Sequence, residues 1–200
     1  QAANPMAVTY FSLFGMTTMM ATFSAQSFVA ILQADQTALG VRQAVSPTKK
    51  SRFLFYALLI SFLFIMTSIV LLYFFMQFVV GIDLLPQSGH NFYILSLAVL
   101  GNLALGLFIG VLPLSSEAKN AVCLTVTLMF PTLAGMMTPE ITFLQHEHAP
   151  ILLKLNPTYR LASEMLRVNL LDLPSEASQH TVFFILYTLI FFALAVIRLR

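Results

Sequence analysis

Side chains able to do chemistry are few in this chain, and they sit in islands. The densest is Asp35 to Arg52, DQTALGVRQAVSPTKKSR, with four of the ten Lys and Arg residues: Arg42, Lys49, Lys50 and Arg52. Cations at that density beside apolar sequence hold a loop on one side of a bilayer and attract anionic headgroups. A second island, His146-Glu147-His148, has metal-ligand residue types. Its spacing is not that of two histidines on one helical face, and alternate residues of a strand point opposite ways, so a hydrated loop and no metal site are expected. Arg160, Glu164 and Arg167 form a third, at spacings of four and three on one helical face. No stretch fits G-x-x-x-x-G-K-[ST], the phosphate-binding loop of an ATPase. No serine is paired with His and Asp in a recognisable nucleophile pattern. The single cysteine, Cys123, lies inside an apolar run and reads as a packed thiol.

What positions these islands is membrane. Of the 200 residues, 58% are hydrophobic and only 9% charged, and the mean hydropathy is +0.87. A soluble domain carries roughly a quarter charged residues, so the chain is read as integral to a bilayer. A net charge of +2, with no basic cluster interleaved with stacking aromatics, excludes nucleic acid as a partner. Between the islands run apolar stretches near the roughly 20 residues that a helix needs to cross about 30 Å of hydrocarbon. The expected class is all-α: a single polytopic bundle with spans at about 6–34, 53–80, 92–114, 121–137 and 181–197.

Asn4-Pro5 can cap and open the first span, which carries a polar stripe of Thr9, Ser12, Thr18, Thr22, Gln26 and Gln33. Two readings stay open for it: hydrogen bonding between packed helices, or the lining of a substrate path in which Thr18, Thr22 and Gln26 join Asn102 of the third span. Asp35 to Val45 can form a short amphipathic helix that Ser46-Pro47 ends. The second span, rich in Phe, Leu and Ile, is expected to face lipid. Gly106 and Gly110, one turn apart in the third, admit close approach of another helix. Lys119 falls in a short polar island, and Pro131 should kink the fourth span or end it early. Within 138–180, Asn156-Pro157 should start an interfacial helix to about Leu170, with Leu161, Ala162, Met165, Leu166 and Val168 on its membrane side and Arg160, Glu164 and Arg167 on the other. Ala149 to Leu155 reads as a shorter helix.

Alternate loops collect unequal positive charge. Arg42, Lys49, Lys50, Arg52, Lys119, Arg198 and Arg200 fall on one side, and Lys154, Arg160 and Arg167 on the other. The bias puts residue 1 outside and residue 200 in the cytoplasm, with Lys49, Lys50 and Arg52 at the cytoplasmic surface. Within the spans no ionisable group is expected at depth, which argues against an intramembrane protease and a proton-coupled carrier.

The order of spans and islands, with QADQTALGVRQAVSPTKKSR, FPTLAGMMTP leaving the fourth span and LNPTYRLASEMLR before the last, resembles the permease subunits of type-2 ATP-binding-cassette exporters along essentially the whole chain. The resemblance implies a plasma-membrane permease, in a bacterium the cell inner membrane. It would pair with a second permease subunit, identical or different, and dock a cytoplasmic ATPase that holds the ATP and Mg; this chain would hold no cofactor. It implies that Asp35 to Pro47 is the coupling helix, with Asp35, Thr37, Gly40, Arg42, Ser46 and Pro47 towards the ATPase. Relatives often show an acidic residue and a glycine where this chain has Gln33 and Gln36. It further implies that Gly135, Pro139, Asn156, Pro157, Arg160 and Glu164 belong to re-entrant elements closing the path externally. Such permeases have six spans with both termini inside, so five with the start outside reads as a chain lacking its first span. The expected activity is export of an amphipathic, drug-like, peptide or lipid-linked substrate, without catalysis in this chain. The competing class is a non-transporting scaffold or assembly factor on the same fold.

Overall fold

A computed structural model describes residues 5–32, 41–42, 50–82, 84–137, 140–171 and 176–199. Among these residues regular structure is entirely helical: α1 Pro5–Leu32, α2 Lys50–Phe75, α3 Ser88–Gly110, α4 Ser116–Leu133, α5 Glu140–His148, α6 Pro150–Leu155, α7 Pro157–Asn169 and α8 Ala177–Leu199. That outcome follows from the solvent: in hydrocarbon every backbone N–H and C=O must be bonded within its own segment, and a helix does this locally. By length and composition α2, α3 and α8 are apolar enough to cross a membrane. α1 has the length, 28 residues, but its hydroxyls and amides dilute its apolarity. The 18 residues of α4 include Glu117, Lys119 and Asn120.

α1 is the hub, packing against α2, α3, α4 and α7, while α3 lies between α1 and α8. The main core joins Phe11, Phe14, Ala21 and Ala25 of α1 to Ile69 and Tyr73 of α2, Ile94, Ala98 and Val99 of α3, Leu161 and Met165 of α7, and Phe184 of α8. At the opposite end Val29, Leu107, Val111 and Ala195 close a smaller cluster. Small residues set the spacing. A Cβ on Gly106 would collide with the Thr22 carbonyl oxygen, one on Gly110 would come within 2.6 Å of the Val29 side chain, and one on Gly101 within 2.7 Å of the Tyr187 ring. α2 and α8 are the most exposed of the three long apolar helices: Phe55, Tyr56, Ile60, Phe64 and Leu71 of α2, and Val182, Leu186, Leu189 and Ile197 of α8, are exposed. The α2 helix, whose Ile69 and Tyr73 pack on α1 in the main core, also joins α1 through a hydroxyl pair, Ser24 with Ser61 at 2.7 Å. α2 widens into a π turn at Met76–Val80 and stops at Gly81, whose φ of 79° glycine tolerates.

α4 begins at Ser115, whose hydroxyl accepts from Ala118 N at 3.2 Å. This start precedes the expected span, so Lys119 is carried within the first turn against the bundle and is 1% exposed, not solvated in an island. The helix passes through Pro131 and ends two residues later. His146-Glu147-His148 also departs from expectation. It lies in α5, not in a loop, with Glu147 and His148 exposed and His148 Nδ1 3.1 Å from the Leu144 carbonyl.

Candidate functional site

α7 is where the sequence's polar triad meets the rest of the molecule. Asn156 starts the helix and does two jobs. Its Oδ1 accepts from Thr158 N at 2.9 Å and Tyr159 N at 3.3 Å, while its Nδ2 donates to the Phe130 carbonyl at the end of α4 at 2.8 Å. Pro157 occupies the first helical position, where no N–H is required. Beside them Ser12 of α1 donates to the Ala134 carbonyl at 3.1 Å, and Gly135 turns the chain with a φ of 90°. Gly15 of α1 sits directly under Thr158, so close that a Cβ there would overlap the Thr158 methyl.

The sequence expectation placed the apolar side of α7 towards the membrane; the structure places it on the bundle. Leu161, Ala162 and Met165 belong to the main core, and α7 packs chiefly on α1. The opposite face is not free either. Glu164, expected at a polar surface, is 0% exposed. His90 of α3 brings Nε2 to 2.9 Å from its Oε1, His180 of α8 brings Nε2 to 3.4 Å from its Oε2, and Glu176 N donates to Oε2 at 3.2 Å. A buried carboxylate persists only when such partners replace its water. Three residues further on, Arg167 pairs with Glu176 at 3.0 Å. At the C-terminal end of α7, Asn169 and Asn91 exchange amide hydrogen bonds of 2.9 and 3.0 Å. Asn91 also approaches the Leu84 carbonyl, the acceptor of the Tyr73 hydroxyl.

α7 is therefore a crosspiece bonded or packed to α1, α3, α4 and α8 at one end of the bundle. Arg160 stands at its edge. Its Nε donates to the Lys154 carbonyl and its guanidinium lies 4.2 Å over the Phe183 ring. Burial lowers its pKa from the ordinary value, with Glu176 opposing the shift; an arginine stays charged regardless. Burial raises the Tyr159 pKa.

The described residues form a helical bundle with exposed apolar helices and a polar crosspiece at one end. The family described as ABC-2 family transporter protein matches residues 2–197, nearly the whole chain. The chain belongs to that family. It is a multi-pass membrane permease of the ABC-2 transporter family. Among curated proteins and among solved structures, none matches it significantly.

Within this permease, the residues expected to act together fall into three groups. Asn156, Pro157, Arg160 and Glu164 converge on α7, with Gly135 beside its start; Pro139 lies outside the described residues. Thr18, Thr22, Gln26 and Asn102 meet in the seam between α1 and α3, all buried. Asn102 Nδ2 donates to Thr18 Oγ1 at 3.2 Å, and Thr18 donates to the Gly15 carbonyl at 2.7 Å. Of the coupling residues, only Arg42 is described, helical and exposed; Asp35, Thr37, Gly40, Ser46 and Pro47 lie outside the described residues, as does Lys49. Lys50 begins α2, and Arg52 is exposed two residues later. His90, Asn91, Asn169, Glu176 and His180 were not singled out from the sequence as site residues. A signal existed for two of them: His90 and His180 each stand within the first turn of a long apolar helix, where a histidine needs a partner.

Proposed function

We propose that this permease is the membrane subunit of an ATP-driven exporter that moves an amphipathic substrate outward. A separate cytoplasmic ATPase would power it, and a second permease subunit would complete it. The family match carries the reading, and the α7 crosspiece supports a path closed at its outer end. On this reading Gly135, Pro139, Asn156, Pro157, Arg160 and Glu164 hold the external closure, and Asp35 to Pro47 receives the ATPase stroke. Because α1 leads from that loop to Gly15 beneath Thr158, a tilt of α1 moves the inner loop and the outer cap together.

The α1–α3 seam is proposed as the polar route that such a tilt opens. Among the described residues Thr22 Oγ1, Gln26 Oε1 and Asn102 Oδ1 find no hydrogen-bond partner although buried. Each unpaired buried polar atom costs about 1–3 kcal/mol, which favours hydration once the helices part.

ATP-dependent transport of a fluorescent amphiphile into inverted vesicles tests the coupling assignment with Gly40→Leu and Arg42→Glu. Export should fall about 5–150-fold, the range of a lost coupling energy of about 1–3 kcal/mol. Full export with the ATPase still co-purifying removes the assignment. A stable partner that is not an ATPase supports the scaffold class instead.

A further inference from the structure

Beside α7 lies a cavity of about 390 Å³ whose polar lining includes Lys154, Tyr159, Arg160, Ser163, Arg167 and Gln179. It adjoins a second hollow of about 530 Å³ on the flank of α8, formed by Val182, Phe183 and Leu186 with Ser178; Arg160 and Gln179 line both. The two differ in chemistry. The first holds three cations against one carboxylate at its wall, Glu176, which Arg167 already engages at 3.0 Å. Among the described residues no carboxylate lies within ion-pair distance of Lys154 or Arg160. The second is apolar and open sideways, with Val182 57% and Leu186 52% exposed. It continues along α8 into the exposed side chains of Leu189 and Ile190, so an occupant reaches it laterally from the bilayer.

We propose that this pair of hollows binds an anionic phospholipid of the surrounding membrane, its phosphate at Arg160 and Lys154 and one acyl chain along Val182 and Leu186. The polarity step is what such a molecule requires: a charged, hydrogen-bonding headgroup within a few ångströms of an apolar chain. A guanidinium held by the Lys154 carbonyl at Nε and lying over the Phe183 ring is already oriented for phosphate oxygens, and the Tyr159 hydroxyl lines the same cavity, whereas Ser163 Oγ gives its proton to the Arg160 carbonyl at 3.0 Å. Charge complementarity selects an anionic headgroup over a zwitterionic one. Lipid bound there bridges α6, α7 and the start of α8 and would hold the cap closed.

That last consequence rests on the proposed outer position of α7; the binding itself does not, and it is measured without ATPase or ATP. The full chain in detergent is titrated with phosphatidylglycerol and, separately, phosphatidylcholine, and retained lipid is read by native mass spectrometry. Wild type should retain phosphatidylglycerol preferentially. Lys154→Gln with Arg160→Gln should cut that preference more than about tenfold, at roughly fivefold per cation near a headgroup. Lys154→Gln alone, an exposed change that leaves the fold intact, should lose about fivefold. Val182→Trp should weaken long-chain lipid while sparing short-chain phosphatidylglycerol, and Arg198→Gln at the far end should change nothing. Inorganic phosphate that competes as well as lipid would show a soluble-anion site and overturn the lipid assignment. So would displacement of the lipid by a second permease subunit at α8, equal retention of both lipids, or an unchanged preference in the Lys154→Gln variant. Failed export with intact lipid preference would count against the transport reading alone.

Discussion

Glu164 ties three helices together through one side chain. It is fully buried, and two histidines from different helices and one backbone N–H converge on its oxygens. Removing the carboxylate leaves the Glu176 N–H and the histidine Nε2 groups facing a void, and a buried polar group left without its partner costs about 1–3 kcal/mol. Glu164→Ala should therefore lower the thermal midpoint of the purified permease markedly, whereas Glu164→Gln, which keeps an acceptor oxygen, should lose less than half as much. Equal losses in the two variants would mean that packing, not the His90 and His180 contacts, makes the site matter. Asn91 and Asn169 allow a separate measurement. Because they bond reciprocally, a double-mutant cycle with Asn91→Leu and Asn169→Leu should give a coupling of about 0.5–3 kcal/mol in thermal or denaturant unfolding. A coupling near zero would say that each amide serves its other partner, Leu84 or Met165.

At the scale of elements, the close approach of α1 to α3 and of α1 to α7 rests on absent side chains. Gly106→Leu must push against the Thr22 carbonyl and Ala25, and since backbone cannot swing away, overpacking should cost about 1–3 kcal/mol or more and impair export. Gly89→Ala makes the contrast, because nothing lies within 4 Å of a Cβ there. In the first turn of α3 alanine's better helix propensity should leave stability unchanged or raise it by up to about 1 kcal/mol. Loss of stability in both variants would point to a general intolerance of change in α3. α5 lies at the other extreme, packing chiefly on its neighbour α6, with Leu144, Glu147 and His148 exposed. Amide hydrogen exchange should be fast across Glu140–His148 and slowest across Leu95–Leu107 of α3, since opening costs track buried contact.

For the molecule as a whole, the sequence alone carried the class. Apolar runs separated by short charged islands leave the backbone no option but helices in lipid, and charge bias supplied an orientation. The Asn156-Pro157 pair marked the start of α7 because capping is local chemistry, written in adjacent residues. Gly106 and Gly110 marked a close helix crossing for a similar reason: a one-turn spacing puts both on a single face. What lay beyond the sequence was which surface each face meets. Periodicity showed that α7 has an apolar and a polar side, but a membrane and a bundle of membrane helices look alike to an apolar side, and only tertiary structure put Leu161 and Met165 against α1. The same ambiguity misplaced Glu164 and Lys119. A charged residue on a polar face reads as solvated until helices distant in sequence arrive to cover it, as α3 and α8 do with His90 and His180 across separations of about 74 and 16 residues. The sequence thus determined that this chain is a helical membrane domain and where α7 begins, because those follow from local hydrogen bonding and transfer into lipid. Only the tertiary structure decided that α7 is a crosspiece locked by a buried carboxylate, because pairing between distant helices is an outcome of packing.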